Sequence, residues 1–159
     1  LRIYQEGEAS VISYGMTEED VETFAVHPLV AVASDGSSLS NEGVLSVGKP
    51  HPRSYGTNPR FIQKYVNEKK LVSIQEAVRK MTSLPAQRLG LTNRGRLTPG
   101  YAADIVIMNL PNVKENATFE NLHQYPSGIS HVIVNGEIVI RDEKFTGKTP
   151  GKMITNFDS

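Results

Sequence analysis

Apolar residues recur with two different periods along this chain, and the change of period divides it. Thr17-Glu18-Glu19-Asp20 has the pattern of a helix start, with an acid three residues after the capping threonine. Val21, Phe24 and Ala25 follow at helical spacing until His27-Pro28 stops the run. Ser10 to Tyr14, ahead of this helix, alternates as a short strand. Behind it, Val30-Ala31-Val32-Ala33, bounded by Pro28 and Gly36, predicts a strand buried on both faces, so that the opening region reads as one βαβ unit. Gly36 to Gly56 is polar and rich in Gly and Ser, which predicts a loop long enough to favour a functional role. Pro59 to Lys70 sets Phe61, Ile62, Tyr65 and Val66 on one helical face. Ser73-Ile74-Gln75-Glu76 is a capping box that opens a helix with Ile74, Ala77, Val78 and Met81 inward. Ser83 as cap, Pro85 in the first turn and Gly90 past the end signal a third, short helix.

From Asn93 onward strands and turns take over. Ala103 to Met108 predicts a strand. His131 to Ile140 predicts two alternating strands joined by Asn135-Gly136, residues that tolerate the positive φ of a type I′ hairpin. Lys144 to Gly151 reads as a loop that anchors the tail. The expected organisation is an α/β part over residues 1–92 and a β-rich part over 93–159, with the boundary between Leu91 and Arg94.

Composition narrows the function more than the fold. Seventeen basic and seventeen acidic residues cancel, which leaves no electrostatic footprint for nucleic acid and no polybasic surface for anionic lipid. No apolar run approaches a membrane span and no signal peptide is visible. With no cysteine, disulfides and Cys-ligated zinc are excluded, and a cytoplasmic origin fits. The chain opens on Leu1 within what reads as a helix end closed by Gly7, so it is expected to be the carboxyl-terminal part of a longer protein. Its 159 residues fall short of a full eight-fold barrel, which takes about 250.

Candidate chemistry centres on Ser34-Asp35-Gly36-Ser37. A carboxylate at the carboxyl end of a buried strand sits where a (β/α) barrel carries its catalysis; Asp-Gly after a strand is equally a turn signal, and both readings stand. His51, Arg53 and Tyr55 share the long loop and can orient a carboxylate substrate, Arg through its planar fork and Tyr through its hydroxyl, or can brace the loop. Met16 and Tyr14, beyond the first strand, can line a pocket or form an apolar wall. Of the four histidines, His27 reads as a helix-end residue and His123 and His131 as structural. Asp104 reads as a cap at a strand entrance, and Ser37 and Ser38 as loop residues. No HxH, HExxH or GxSxG motif occurs, so no complete metal site or nucleophile elbow is expected here.

Four passages resemble the amidohydrolase superfamily and, within it, the N-acyl-D-amino-acid deacylases. They are Gly15 to Asp20; Ser34 to Ser37 with His51-Pro52-Arg53-Ser54-Tyr55-Gly56-Thr57; Gly95 to Val106 around Pro99-Gly100-Tyr101-Ala102-Ala103-Asp104; and Ala117 to Pro126 through the Val134-Asn135-Gly136 hairpin. Asn58 and Leu122 depart from that family's usual Phe and Pro. The resemblance implies the last units of a (β/α)8 TIM-type barrel followed by strands of a small β-sandwich. It also implies that Asp35, at the end of the final barrel strand, touches a zinc site of one or two ions, takes a proton from the attacking water and returns it to the leaving amine. The histidine ligands would lie outside this segment, which alone should be inactive. The implied substrate is a small N-acyl-D-amino acid, and the implied partner is the missing amino-terminal barrel portion or a second copy of this piece. Two other readings remain open: a cyclic-amide hydrolase of the dihydropyrimidinase or dihydroorotase kind, and a non-catalytic association module.

Overall fold

The computed structural model describes residues 15–155. Helix α1, Glu18–Val26, starts as its sequence predicts: the Thr17 hydroxyl accepts from the Asp20 N–H at 3.2 Å, and the Asp20 carboxylate accepts from the Thr17 N–H at 2.9 Å. That reciprocal box satisfies donors a helix start otherwise leaves unpaired. His27 ends the helix. The strand expected over Ser10 to Tyr14 lies outside the described residues.

Val30–Ala33 is where the structure departs from the pattern. The segment is extended, yet it pairs in no ladder among the described residues, and Val30, Ala31 and Val32 are only half-buried. Among the described residues no strand runs beside it, and Ser10 to Tyr14, the strand expected next to it, lies outside them. Among the described residues the one long-range backbone bond of Val30–Ala33 runs from the Val32 N–H to the Lys80 carbonyl, at 3.1 Å.

The predicted long loop is shorter than the sequence suggested. A single 3-10 turn, Gly43–Ser46, interrupts it, and helix α2, Arg53–Phe61, begins six residues ahead of the expected Pro59. His51 therefore lies just before a helix, while Arg53 and Tyr55 lie in its first turn. Pro59 sits inside α2, and the helix continues through Ile62–Glu68 with a wider π-type bonding pattern. The apolar face is as expected: Phe61, Ile62, Tyr65 and Val66 are all buried.

Helix α3, Ile74–Met81, is capped by the Ser73 hydroxyl on the Glu76 N–H, at 3.2 Å. The box is half-made, because both Glu76 carboxylate oxygens bond Arg79 instead. Ala77 points inward; Val78 does not, being 39 % exposed, and the residue buried in its stead is Lys80. Helix α4, Ser83–Arg88, follows, with Thr82 rather than Ser83 at the cap position. Ala25, Phe61, Tyr65, Val66, Val72 and Ala77 form one apolar core, against which Val21, Val32, Ile74 and Met81 pack.

The β-rich part is a four-stranded antiparallel sheet in the order β1 (Ile105–Met108), β2 (Ile129–Val134), β3 (Glu137–Arg141), β4 (Lys144–Phe145). Asn135 and Gly136 both adopt positive φ, 48° and 82°, as a type I′ turn requires. The loop expected over Lys144 to Gly151 instead opens with β4, because Asp142 and Glu143 also take positive φ and turn the chain back on itself. Asp104 acts as the strand-entrance residue the sequence predicts. One carboxylate oxygen accepts from the Asn135 N–H at 2.8 Å and the other pairs with Arg94, whose guanidinium also donates to the Asn135 side-chain oxygen at 2.7 Å. No helix among the described residues is long and apolar enough to cross a membrane.

Helices α1 and α2 are joined by a polar cluster at the rim of the core. The Tyr65 hydroxyl donates to Glu18 at 3.1 Å, and Lys64 lies 2.6 Å from the other Glu18 oxygen, which holds that carboxyl below its ordinary pKa. Burial, with the Glu18 charge added, pushes the Tyr65 phenol up to about 12. An unfolded tyrosine ionises near 10, so the folded state keeps its proton longer. The resulting stabilisation is fully present below pH 10 and is lost as pH rises through 12, a change of roughly 2–3 kcal/mol. Urea unfolding of the wild type and of Tyr65→Phe across this range measures it: the alkaline fall should flatten in the variant, and equal slopes would show that the phenol titrates normally.

Candidate active site

Asp35 stands two residues past the extended segment, in a left-handed conformation at φ 48°. The turn that carries it is bonded down on both sides. The Ser34 hydroxyl accepts from the Gly36 N–H at 2.9 Å and donates to the Arg53 carbonyl at 3.3 Å, while the Ser37 N–H donates to the Ser54 hydroxyl at 3.3 Å. Residues 34–37 thus lie on the first turn of α2. Only glycine allows this at position 36, since a Cβ there would stand 2.8 Å from Ser54 Cα and 3.0 Å from the Arg53 carbonyl oxygen.

The Asp35 carboxylate projects outward, with its side chain 88 % exposed, and meets the Arg53 guanidinium at 2.8 Å. Arg53 is oriented by its own backbone: its N–H donates to His51 Nδ1 at 3.0 Å, so that nitrogen is an acceptor. The His51 ring packs edge-on against Phe119, at 5.1 Å between centroids, and partial burial together with the Arg53 charge lowers its pKa. Asp35, Arg53 and His51 are therefore brought together within one short stretch of structure.

Tyr55 is turned elsewhere. Its hydroxyl donates to the Ser40 carbonyl at 2.7 Å and lies 2.8 Å from His123 Nδ1, and its ring packs edge-on against Tyr125. His123 Nε2 in turn lies 3.2 Å from the Gly48 carbonyl. This group ties both ends of the 36–52 loop to the 117–125 segment, which makes His123 structural, as its sequence context suggests. Met16 is 54 % exposed beside the α1 cap. Tyr14 lies outside the described residues.

A cleft of about 880 Å³ opens beside this cluster. Val30–Ala33 lines it together with Phe24 of α1, Phe61 of α2 and Phe119, while His51 and Arg53 stand on its polar side. Neither Met16 nor Tyr55 lines it. Glu115, which also lines it, pairs with Arg60 at 3.0 Å.

Two residues important to this geometry escaped the sequence reading. Lys80 carried a signal, a charged residue three positions after Ala77 on the apolar face of α3. Phe119 stood only as part of the family-like Ala117 to Pro126 passage, because nothing local ties it to His51.

Among the described residues no three His, Cys, Asp or Glu side chains converge as a metal site. Asp35 does not itself line the cleft; its exposed carboxylate is paired with Arg53, which does, and it offers a hard oxygen donor suited to one contact with a divalent cation.

The amidohydrolase family model matches residues 43–140, and the chain belongs to the amidohydrolase family. It is 37 % identical over 151 residues to an N-acyl-D-aspartate deacylase of Alcaligenes xylosoxydans xylosoxydans, covering 95 % of this chain and 29 % of that protein. A crystal structure of D-aminoacylase superposes with a TM-score of 0.75 at 38 % identity, over 84 % of this chain and 27 % of that one. The N-acyl-D-glutamate deacylase of Bordetella bronchiseptica, solved with zinc and a phosphonate mimic of the tetrahedral intermediate, gives 0.70 at 36 % identity, over 78 % and 25 %. The chain thus spans less than a third of the length of the curated relatives it matches.

Gly36→Ala tests the docking of the turn. It should destabilise the fold by about 1–3 kcal/mol, the usual cost of overpacking, measured by chemical denaturation. A variant as stable as the wild type would mean that the turn does not rest on α2.

Proposed function

We propose that this chain is the carboxyl-terminal part of a zinc-dependent enzyme that hydrolyses N-acyl-D-amino acids to a D-amino acid and a carboxylate. In this reading Val30–Ala33 is the final strand of a (β/α)8 barrel whose other strands lie elsewhere in the protein, and the antiparallel sheet belongs to a small β-sandwich over residues 93–159. The observation that carries the proposal is the Asp35 carboxylate, held out of the turn after that segment with Arg53 and His51 beside it. Relatives that act on linear N-acyl amino acids favour it over a cyclic-amide hydrolase. The absence of cysteine and of membrane-spanning helices among the described residues is compatible with a cytoplasmic enzyme.

Zinc, when bound, polarises the amide carbonyl and brings the pKa of water to about 7. Asp35 takes the proton released by the attacking water and delivers it to the amide nitrogen as the C–N bond breaks, so a poor leaving group departs as a neutral amine. A single carboxylate serves both transfers because they occur in sequence. The turn backbone, bonded to α2, fixes where the carboxylate can reach. Arg53 spends only part of its five-donor fork on Asp35 and has donors left for the substrate carboxylate. His51 and Phe119 form the wall beside it. Tyr55, with its hydroxyl engaged by Ser40 and His123, holds the loop in place.

Two measurements test this. In the intact protein, Asp35→Asn should lower turnover of N-acetyl-D-amino acids by about 10² to 10⁴ without unfolding the enzyme; undiminished turnover refutes the assigned role. The isolated 159-residue piece should be inactive and should sediment as an associated species, because Val30–Ala33 lacks strand partners among the described residues and Val44, Val47 and Leu97 are largely exposed. A monodisperse monomer would count against missing barrel neighbours.

A further inference from the structure

Lys80 is the one charged side chain among the described residues that is both fully buried and drawn into the core, at 0 % exposure. Its ammonium donates to the His27 carbonyl, at the end of α1, and to the Val30 carbonyl at 2.9 Å; the Glu76 carboxylate stands 3.8 Å away. Burial pulls the group below its ordinary pKa and Glu76 opposes that pull. The neighbouring residue adds a third grip, since the Arg79 guanidinium donates to the Pro28 carbonyl while remaining bonded to Glu76. A fourth comes from the Lys80 carbonyl, which accepts from the Val32 N–H. One helix end thereby holds His27, Pro28, Val30 and Val32, within a segment that has no ladder among the described residues. Asp35 begins three residues later.

Packing alone would put an apolar residue at position 80. A buried ammonium costs several kcal/mol unless its protons are bonded, and here they are spent on the backbone that leads to the candidate catalytic carboxylate.

We propose that Lys80, supported by Arg79, is a positioning residue for Asp35: it sets the height and direction at which the extended segment presents the turn, through the backbone carbonyls of His27, Pro28 and Val30. The inference rests on the reading of Asp35 as the catalytic carboxylate. Arg79 does not line the cleft, and Lys80, which does, spends its ammonium on the His27 and Val30 carbonyls, so their contribution is geometric. A misplacement of about 1 Å at a reacting group can cost about 10² in rate.

The test uses the intact enzyme with Lys80→Met, Arg79→Gln and, as reference, Asp35→Asn. Steady-state kinetics on an N-acetyl-D-amino acid are paired with amide hydrogen exchange over residues 27–33. Lys80→Met should lower kcat by about 10- to 100-fold with KM changed less than about threefold, and should speed exchange at Val30 and Val32. Arg79→Gln should do the same to a smaller degree. A folded Lys80→Met enzyme with unchanged kcat overturns the inference, and so does a loss confined to KM or to thermal stability. If Lys80→Met does not accumulate as folded protein, Arg79→Gln decides: unchanged kcat and unchanged exchange overturn it. Asp35→Asn separates the two levels, because full activity in that variant removes the proposed function itself, whereas an inactive Asp35→Asn beside a fully active Lys80→Met removes only the positioning role.

Discussion

Backbone N–H and C=O groups taken out of water must find partners, and the carbonyls of His27, Pro28 and Val30 and the N–H of Val32 find theirs in the last turn of α3. A strand normally meets this demand through neighbouring strands. Here a lysine ammonium, an arginine guanidinium and one carbonyl replace them on one side. That constraint orients the helical part: α1 enters it from one end, Asp35 leaves it at the other, and Val32 packs against the shared apolar core.

The candidate active site is built by a second, smaller docking. Ser34 and Ser54 bond the 34–37 turn to the start of α2, so the helix that carries Arg53 also fixes the backbone of Asp35. Two groups of opposite charge thus meet because both sit on the same local scaffold. His51 belongs to that scaffold as well, through its bond to the Arg53 N–H. Behind it, the cluster of Tyr55, His123 and Tyr125 keeps the intervening loop from drifting. Each layer of the site is therefore held by the layer beneath it.

The β-rich part follows a separate logic. Its sheet pairs strands in sequence order, and Arg94, Asp104 and Asn135 join the β2–β3 turn to the chain that leads into the sheet. No described residue of the sheet lies in the Asp35 cluster, but the 115–120 segment between β1 and β2 returns to line the cleft.

Elements whose determinants are local were legible in the residues themselves. The α1 capping box, the Ser73 cap and the Asn135-Gly136 turn each depend on side chains within a few positions of the backbone they satisfy, so the sequence by itself determined them. The buried face of Phe61, Ile62, Tyr65 and Val66 was equally readable, because helical spacing alone selects it. What a residue meets across the fold was not readable. The early start of α2 depends on the turn that docks on it, and the burial of Lys80 depends on carbonyls some fifty positions away. The pairing of Asp35 with Arg53, against Tyr55 turned toward His123, was likewise decided by tertiary structure: all three side chains are polar enough to face a substrate, and only the positions of their distant partners separate them.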